Sequence, residues 1–361
     1  MSNLLVWAVR GLLALCLQLC CPVARFQKEE SVRRDPAYAV YETYRYAYER
    51  YGYLFSYAEE TGGEGMVAAG NPSWQGEDGN AGAADREQES TGADGMKTEQ
   101  TGAGSALSAS SLARLQDYDY LMKQYFSVHA STTADRGLMK VEKLLGTDVR
   151  LTKNPDVPQI LIYHTHASET YADYGPQNPD ASVAGAGSYL AELLRQRGWN
   201  VIHDTTAYDR KEGKLERSRA YTYALEGVQG ILQEHPTIEV ILDLHRDGVS
   251  DSLRLVQEIQ GKPTAKIMFF QGMSRTPEGE IAYLPNPYLQ ENLAFCFQMQ
   301  LACGRYPGFT RKIYLKGLRY NLHLRGRSSL IEAGAQTSTK EEVWNAMELL
   351  AEAADSVLQG E

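Results

Sequence analysis

Three apolar runs in this chain end in groups that can bind a metal or move a proton. Ile160-Leu161-Ile162-Tyr163 empties into His164-Thr165-His166-Ala167-Ser168-Glu169, Val240-Ile241-Leu242-Asp243-Leu244 into His245-Arg246-Asp247, and Ser328-Ser329-Leu330-Ile331 into Glu332-Ala333-Gly334. Two imidazoles and a carboxylate within six residues form a ligand-type cluster suited to Zn²⁺. His164 and His166 point to one side if the strand continues through them; if the chain turns at His164, only one faces an ion. A carboxylate at Glu332 would be costly to bury alone, so it should meet a cation, a metal or water. Together the three ends supply three metal ligands and one further carboxylate, the composition of a catalytic zinc hydrolase. Such a site leaves a fourth position for water, whose pKa the metal lowers to about 7, and a nearby Glu takes the proton.

Delivering these groups to one place requires strands that share a direction. From Pro158 the pattern alternates: strands at 159–163, 200–203, 239–244, 253–259, 266–270 and 328–332, helices at 183–197, 215–233, 286–304 and 341–358. That alternation predicts an α/β domain over 158–361, with a mostly parallel central sheet flanked by helices. In open sheets of this kind, sites form beyond the carboxyl ends of the strands. Residues 111–157 read as a helical lead-in, with helices at 112–128 and 138–145. His203, beside Asp204 at another strand end, reads as a surface histidine in preference to an orienting group.

The remainder of the chain is of a different kind. Of a net charge of −10 over 361 residues, residues 59–104 carry −8, leaving a near-neutral body with no electrostatic footprint for nucleic acid. Residues 59–110 are Gly-, Ala-, Glu-, Ser- and Thr-rich and should form a flexible acidic linker. Leu4 to Val23 is apolar except for Arg10 and Gln18, so residues 1–26 read as an uncleaved signal-anchor in preference to a cleaved signal peptide, with the body exported. Residues 27–58 read as a Tyr-rich helix, with Tyr41, Tyr44, Tyr48 and Tyr51 in one stripe that either docks on a partner or packs on the main domain. Cys296 and Cys303 would lie about 10 Å apart along one helix, too far for a disulfide, and read as apolar core residues.

On four ordered segments the chain resembles the stage II sporulation protein P family, peptidoglycan hydrolases of endospore-forming bacteria. They are Gln159–Tyr171, Val201–Thr206, Ile241–Asp247 and Leu330–Thr337. Its broader relatives are the zinc N-acetylmuramoyl-L-alanine amidases, and the resemblance implies an amidase-like fold. It also implies cleavage of the amide between N-acetylmuramic acid and L-alanine, with possible endopeptidase activity, on septal wall during engulfment. By this resemblance His166, Glu169 and His245 hold Zn²⁺ and Glu332 moves the proton. His164 or Arg246 would steady the oxyanion or a stem-peptide carboxylate. The implied partners are peptidoglycan, the membrane through the N-terminal helix, and sporulation proteins D and M. The implied place is the extracytoplasmic side of a single-pass anchor. Two other readings share these residues: a non-catalytic, membrane-held wall-docking protein, and a zinc peptidase acting on another amide.

Overall fold

Runs of β-branched and aromatic residues form the strands that carry the ligand-type clusters, and the computed structural model describes them within residues 109–360. The expected signal-anchor (1–26), Tyr-rich helix (27–58) and nearly all of the linker (59–110) lie outside the described residues. The lead-in is two short helices, α1 (Ala109–Leu115) and α2 (Tyr118–Tyr125), in place of one over 112–128. The break has a local cause: the Asp117 carboxylate accepts the N–H groups of Asp119 and Tyr120, starting a second helix. The chain then forms β1 (Phe126–Val128) and α3 (Val141–Gly146). Beyond them run β2 (Ile160–Tyr163), α4 (Val183–Gln196) and β3 (Val201–His203). A small hairpin, β4 (Arg210–Lys211) and β5 (Lys214–Leu215), leads to α5 (Ala220–Glu234) and β6 (Val240–Asp247).

A second hairpin, β7 (Val256–Ile259) and β8 (Lys262–Ala265), precedes β9 (Ile267–Gly272). After a third, β10 (Arg275–Thr276) and β11 (Gly279–Glu280), come α6 (Leu289–Cys303) and β12 (Ile313–Lys316). The chain ends in β13 (Arg327–Ala335) and α7 (Lys340–Gln359). Seven strands form the main sheet in the order β1-β12-β9-β13-β6-β2-β3. All its pairings are parallel except β9 with β13. The sheet is therefore mixed: mostly parallel, as the alternation predicts, with one antiparallel seam. Neither β1 nor β12 is anticipated by the sequence pattern.

The two faces of the sheet bury different sets of side chains. Ile160, Ile162, Val240, Leu242, Leu244 and Ile331 join the larger core with the apolar stripe of α4 (Val183, Ala186, Leu190, Leu194) and that of α7 (Val343, Met347, Leu350). Leu161, Tyr163 and Ile241 face the other way, onto Ala224, Val228 and Leu232 of α5. Ser182 caps α4, and Thr339 with Glu342 forms a capping box on α7. Cys296 and Cys303 are both free and buried, as their helical spacing requires. Among the described residues no helix is long and apolar enough to cross a membrane.

Candidate active site

Parallel register brings the three strand ends together. Tyr163 at the end of β2 lies opposite Asp243, and Glu332 of β13 lies opposite His245 of β6. Because strand side chains alternate, Asp243 and His245 emerge on the α5 side of β6 while Leu244 faces the larger core. The register of β13 then slips between Glu332 and Ala335, and Gly334 occupies the left-handed region at φ 63°. This irregularity, placed just beyond Glu332, is of the kind that re-aims a strand beside a site, and it explains the glycine in the Glu-x-Gly motif.

The turn after β2 separates its two histidines. Asp243, wholly buried, accepts the Thr165 N–H at 2.8 Å and the Thr165 hydroxyl at 2.6 Å. The chain bends there, and the histidines diverge. His164 enters the larger core, where its Nδ1 donates to the Leu244 carbonyl at 2.7 Å and its Nε2 lies 2.8 Å from His203 Nε2. A carbonyl can only accept, so Nδ1 carries the proton and His164 Nε2 receives one from His203. The surface reading of His203 fails, since it pairs with His164, and Gly187 of α4 leaves room for the two rings. His166 turns to the α5 side, with its ring centroid 5.3 Å from that of His245 and 5.7 Å from that of Tyr221.

Around His166 the charges are tightly linked. Burial, and then His245, push its pKa down to about 4, and its buried Nδ1 has no hydrogen-bond partner. Burial disfavours a charge on His245, yet Asp243 and Glu169 more than offset it and hold the imidazole well above the ordinary histidine range. Its Nε2 sits 2.8 Å from Asp243 Oδ1, off the line of a hydrogen bond, and its Nδ1 sits 3.6 Å from Glu169 Oε2. Glu169 is buried, which opposes its ionisation, but His245 and His166 hold its carboxyl below the usual range. Burial pushes Glu332 up to about 8, and its Oε2 is buried without a partner.

The structure thus gathers His166, Glu169, His245 and Glu332, and sends His164 to the far side of the sheet. Arg246 contributes through its backbone, its N–H donating to Glu169 Oε2 at 3.2 Å, while its guanidinium Nε donates to the Thr170 carbonyl at 2.7 Å. Sequence reasoning missed Asp243, Tyr221, Arg217 (3.7 Å from Glu169 Oε1) and Asp209, which accepts from the Ser168 backbone and hydroxyl. For Asp243 a signal existed: an acid inside an apolar strand must find a partner.

Among the described residues no three His, Cys, Asp or Glu side chains stand in a coordinating arrangement as they are. The donor chemistry nonetheless fits a divalent cation. An imidazolium between two carboxylates marks a place where positive charge is already required, and the unpartnered His166 Nδ1 and Glu332 Oε2 border it. With His166 neutral, its lone pair is available as a ligand.

Residues 65–355 match the family model described as stage II sporulation protein P. No curated protein matches the chain significantly. Among solved structures, the chain is similar to the CwlD amidase from Clostridioides difficile, solved with the GerS lipoprotein: 18% identity, 56% of this chain and 97% of that one, TM-score 0.36. It is also similar to the N-acetylmuramoyl-L-alanine amidase AmiC2 of Nostoc punctiforme: 11% identity, 58% and 98% covered, TM-score 0.33.

Proposed function

The chain belongs to the stage II sporulation protein P family, and from that membership we propose that it is a peptidoglycan hydrolase cleaving the N-acetylmuramoyl-L-alanine amide in septal wall. The observation that carries this reading is the meeting of His166, Glu169, His245 and Glu332 at the ends of β2, β6 and β13. His166, Glu169 and His245 are the groups that would hold Zn²⁺. When bound, the ion supplies Lewis acidity, polarising a carbonyl and making water acidic near neutral pH.

The protein's own groups do the rest. Asp243 anchors Thr165 and faces His245, fixing both arms of the site at once. Glu332 Oε2 takes the proton of the attacking water and returns it to the departing amine nitrogen, a role suited to a carboxyl whose pKa burial brings near the working pH. Arg246 and Thr170 hold the Glu169 segment against β6. His164, bonded to His203, fixes the turn from the opposite side and does not reach the reacting atoms. The apolar run Leu4–Val23 and the acidic stretch that follows support a membrane-held enzyme on the extracytoplasmic side, with reach to the wall. Sporulation proteins D and M are the partners that family membership suggests.

The test is mass spectrometry of purified wall after digestion by the protein, with calorimetric titration of Zn²⁺ alongside. Free stem peptides beginning with L-alanine, lost on chelation and restored by zinc, are the expected result. Products cut elsewhere would mean a zinc peptidase; intact wall after zinc loading would point to a docking role.

A further inference from the structure

Beyond His166 the ring contacts do not stop. Tyr221 of α5 meets Tyr320 edge-on at 5.3 Å between centroids, Tyr320 meets Phe270 at 4.7 Å, and Phe270 meets Tyr314 at 5.7 Å. Tyr221, Tyr320 and Tyr314 are each partly exposed, whereas Phe270 is buried beneath them. The result is an aromatic wall that begins against the His166 ring and crosses the sheet toward β12.

Tyr320 stands in that wall under strain. It has φ 48° and the next residue, Asn321, φ 58°, two successive left-handed residues without a glycine. Asparagine tolerates this region; for a bulky aromatic residue it is an outlier. Such strain persists only where its surroundings impose it, and here they do. Asn321 Nδ2 donates to the Tyr221 carbonyl at 2.8 Å, Leu322 N–H donates to the Arg319 carbonyl at 2.9 Å, and Asn292 Nδ2 donates to the Leu322 carbonyl. Asn292 also accepts the N–H of Ser328, at the start of the strand that carries Glu332. The strained turn is thereby tied both to the helix bearing Tyr221 and to β13. Glycine or asparagine at position 320 would make the same turn without conflict; what tyrosine adds is its ring.

We propose that Tyr221 and Tyr320, continued by Tyr314, form a sugar-binding wall, against which a pyranose ring of the glycan strand lies while its lactyl amide reaches the catalytic centre. The inference rests on the hydrolase reading, since the scissile amide of that substrate has a sugar on one side. Partly exposed tyrosines suit the role, because their electron-rich faces attract the polarised C–H groups of a sugar.

Binding without turnover separates this proposal from the hydrolase reading. The full-length chain is titrated calorimetrically with chitotetraose, a soluble β-linked N-acetylglucosamine oligomer, and its Tm is recorded for the wild type, Tyr320→Asn and Tyr320→Phe. Tyr320→Asn should raise Tm by relieving the turn, weaken chitotetraose by about tenfold or more, and raise KM on wall fragments with kcat within about twofold. Tyr320→Phe, which keeps the ring, should retain affinity within about threefold. No chitotetraose binding by the wild type, or equal binding by Tyr320→Asn, overturns the proposal; so does a fall in kcat at unchanged KM. If chitotetraose binds through Tyr320 while wall stays intact, the hydrolase reading fails and the wall of rings stands. If wall is cleaved with the same KM by Tyr320→Asn, the reverse holds.

Discussion

Burial of Glu332, reinforced by the acids Asp247 and Glu169, outweighs the opposing charges of His245 and Arg311, and the folded protein therefore favours its protonated form. Its carboxyl titrates near 8 when folded and near the ordinary 4.5 when unfolded. The folded state thus holds this proton more tightly, so the associated stability is complete below about pH 4.5 and is lost as pH rises through about 8. Glu332→Gln removes the titration and should make the chelated protein more stable than wild type at pH 8, by up to roughly 4 kcal/mol, with little gain at pH 4.5. Thermal unfolding of both proteins in chelator across that range checks it; parallel Tm curves would refute it. On the proposed role of Glu332 as proton carrier, the same variant should lose about 10²–10⁴-fold in wall hydrolysis.

At the scale of elements, the turn from His164 to Glu169 is held by Asp243, a residue 78 positions away from Thr165. That explains what could and could not be read from the chain. The three strand ends were legible, since an apolar run followed by polar residues marks a strand's mouth. Which histidine faces the site was not, because it depends on a bend that only the β2–β6 register creates. The division of 112–128 into two helices and an edge strand was missed although Asp117 is a recognisable helix cap; the strand itself exists only by pairing with β12. Tyr221 gave no signal, being one tyrosine among many until α5 lies beside β2. On the far side, α4 must pass close to the His164–His203 pair, and a Cβ at Gly187 would stand 2.6 Å from His164 Nε2 and 2.7 Å from His203 Nε2. Gly187→Ala should therefore destabilise the fold by about 1–3 kcal/mol. Denaturant unfolding measures this; a shift below a few tenths would mean the pair can yield.

For the whole molecule, the lead-in belongs to the body it precedes. β1 closes the edge of the sheet beside β12, Phe126 stacks on Phe297 at 5.9 Å, and Tyr125 meets the same ring edge-on at 5.4 Å. Val141 and Leu144 of α3 are buried in the larger core. A chain beginning at residue 158 would leave the β12 edge unpaired and that core open, so it should aggregate on expression, whereas one beginning at residue 109 should remain soluble and unfold cooperatively. Equal solubility and equal Tm for the two would show that the boundary lies at 158 after all.

The antiparallel seam changes which parts of the chain can reach the rim that carries His245 and Glu332. In a wholly parallel sheet only strand exits arrive there, and those segments already carry His166, Glu169, His245 and Glu332. Here β9 runs against β13, so its beginning, Ile267 and Met268, lies opposite Ala333 and Glu332, and Gly334 N–H donates to the Lys266 carbonyl. The β7–β8 hairpin feeds directly into that point. The turn of that hairpin is held on α7, where Lys262 Nζ donates to Glu348 at 2.9 Å and Asn345 Nδ2 donates to the Pro263 carbonyl at 2.9 Å. A change on α7 can therefore be passed to the strand that carries Glu332 through the hairpin and the Gly334–Lys266 backbone hydrogen bond, without altering His166, His245 or Glu332 themselves.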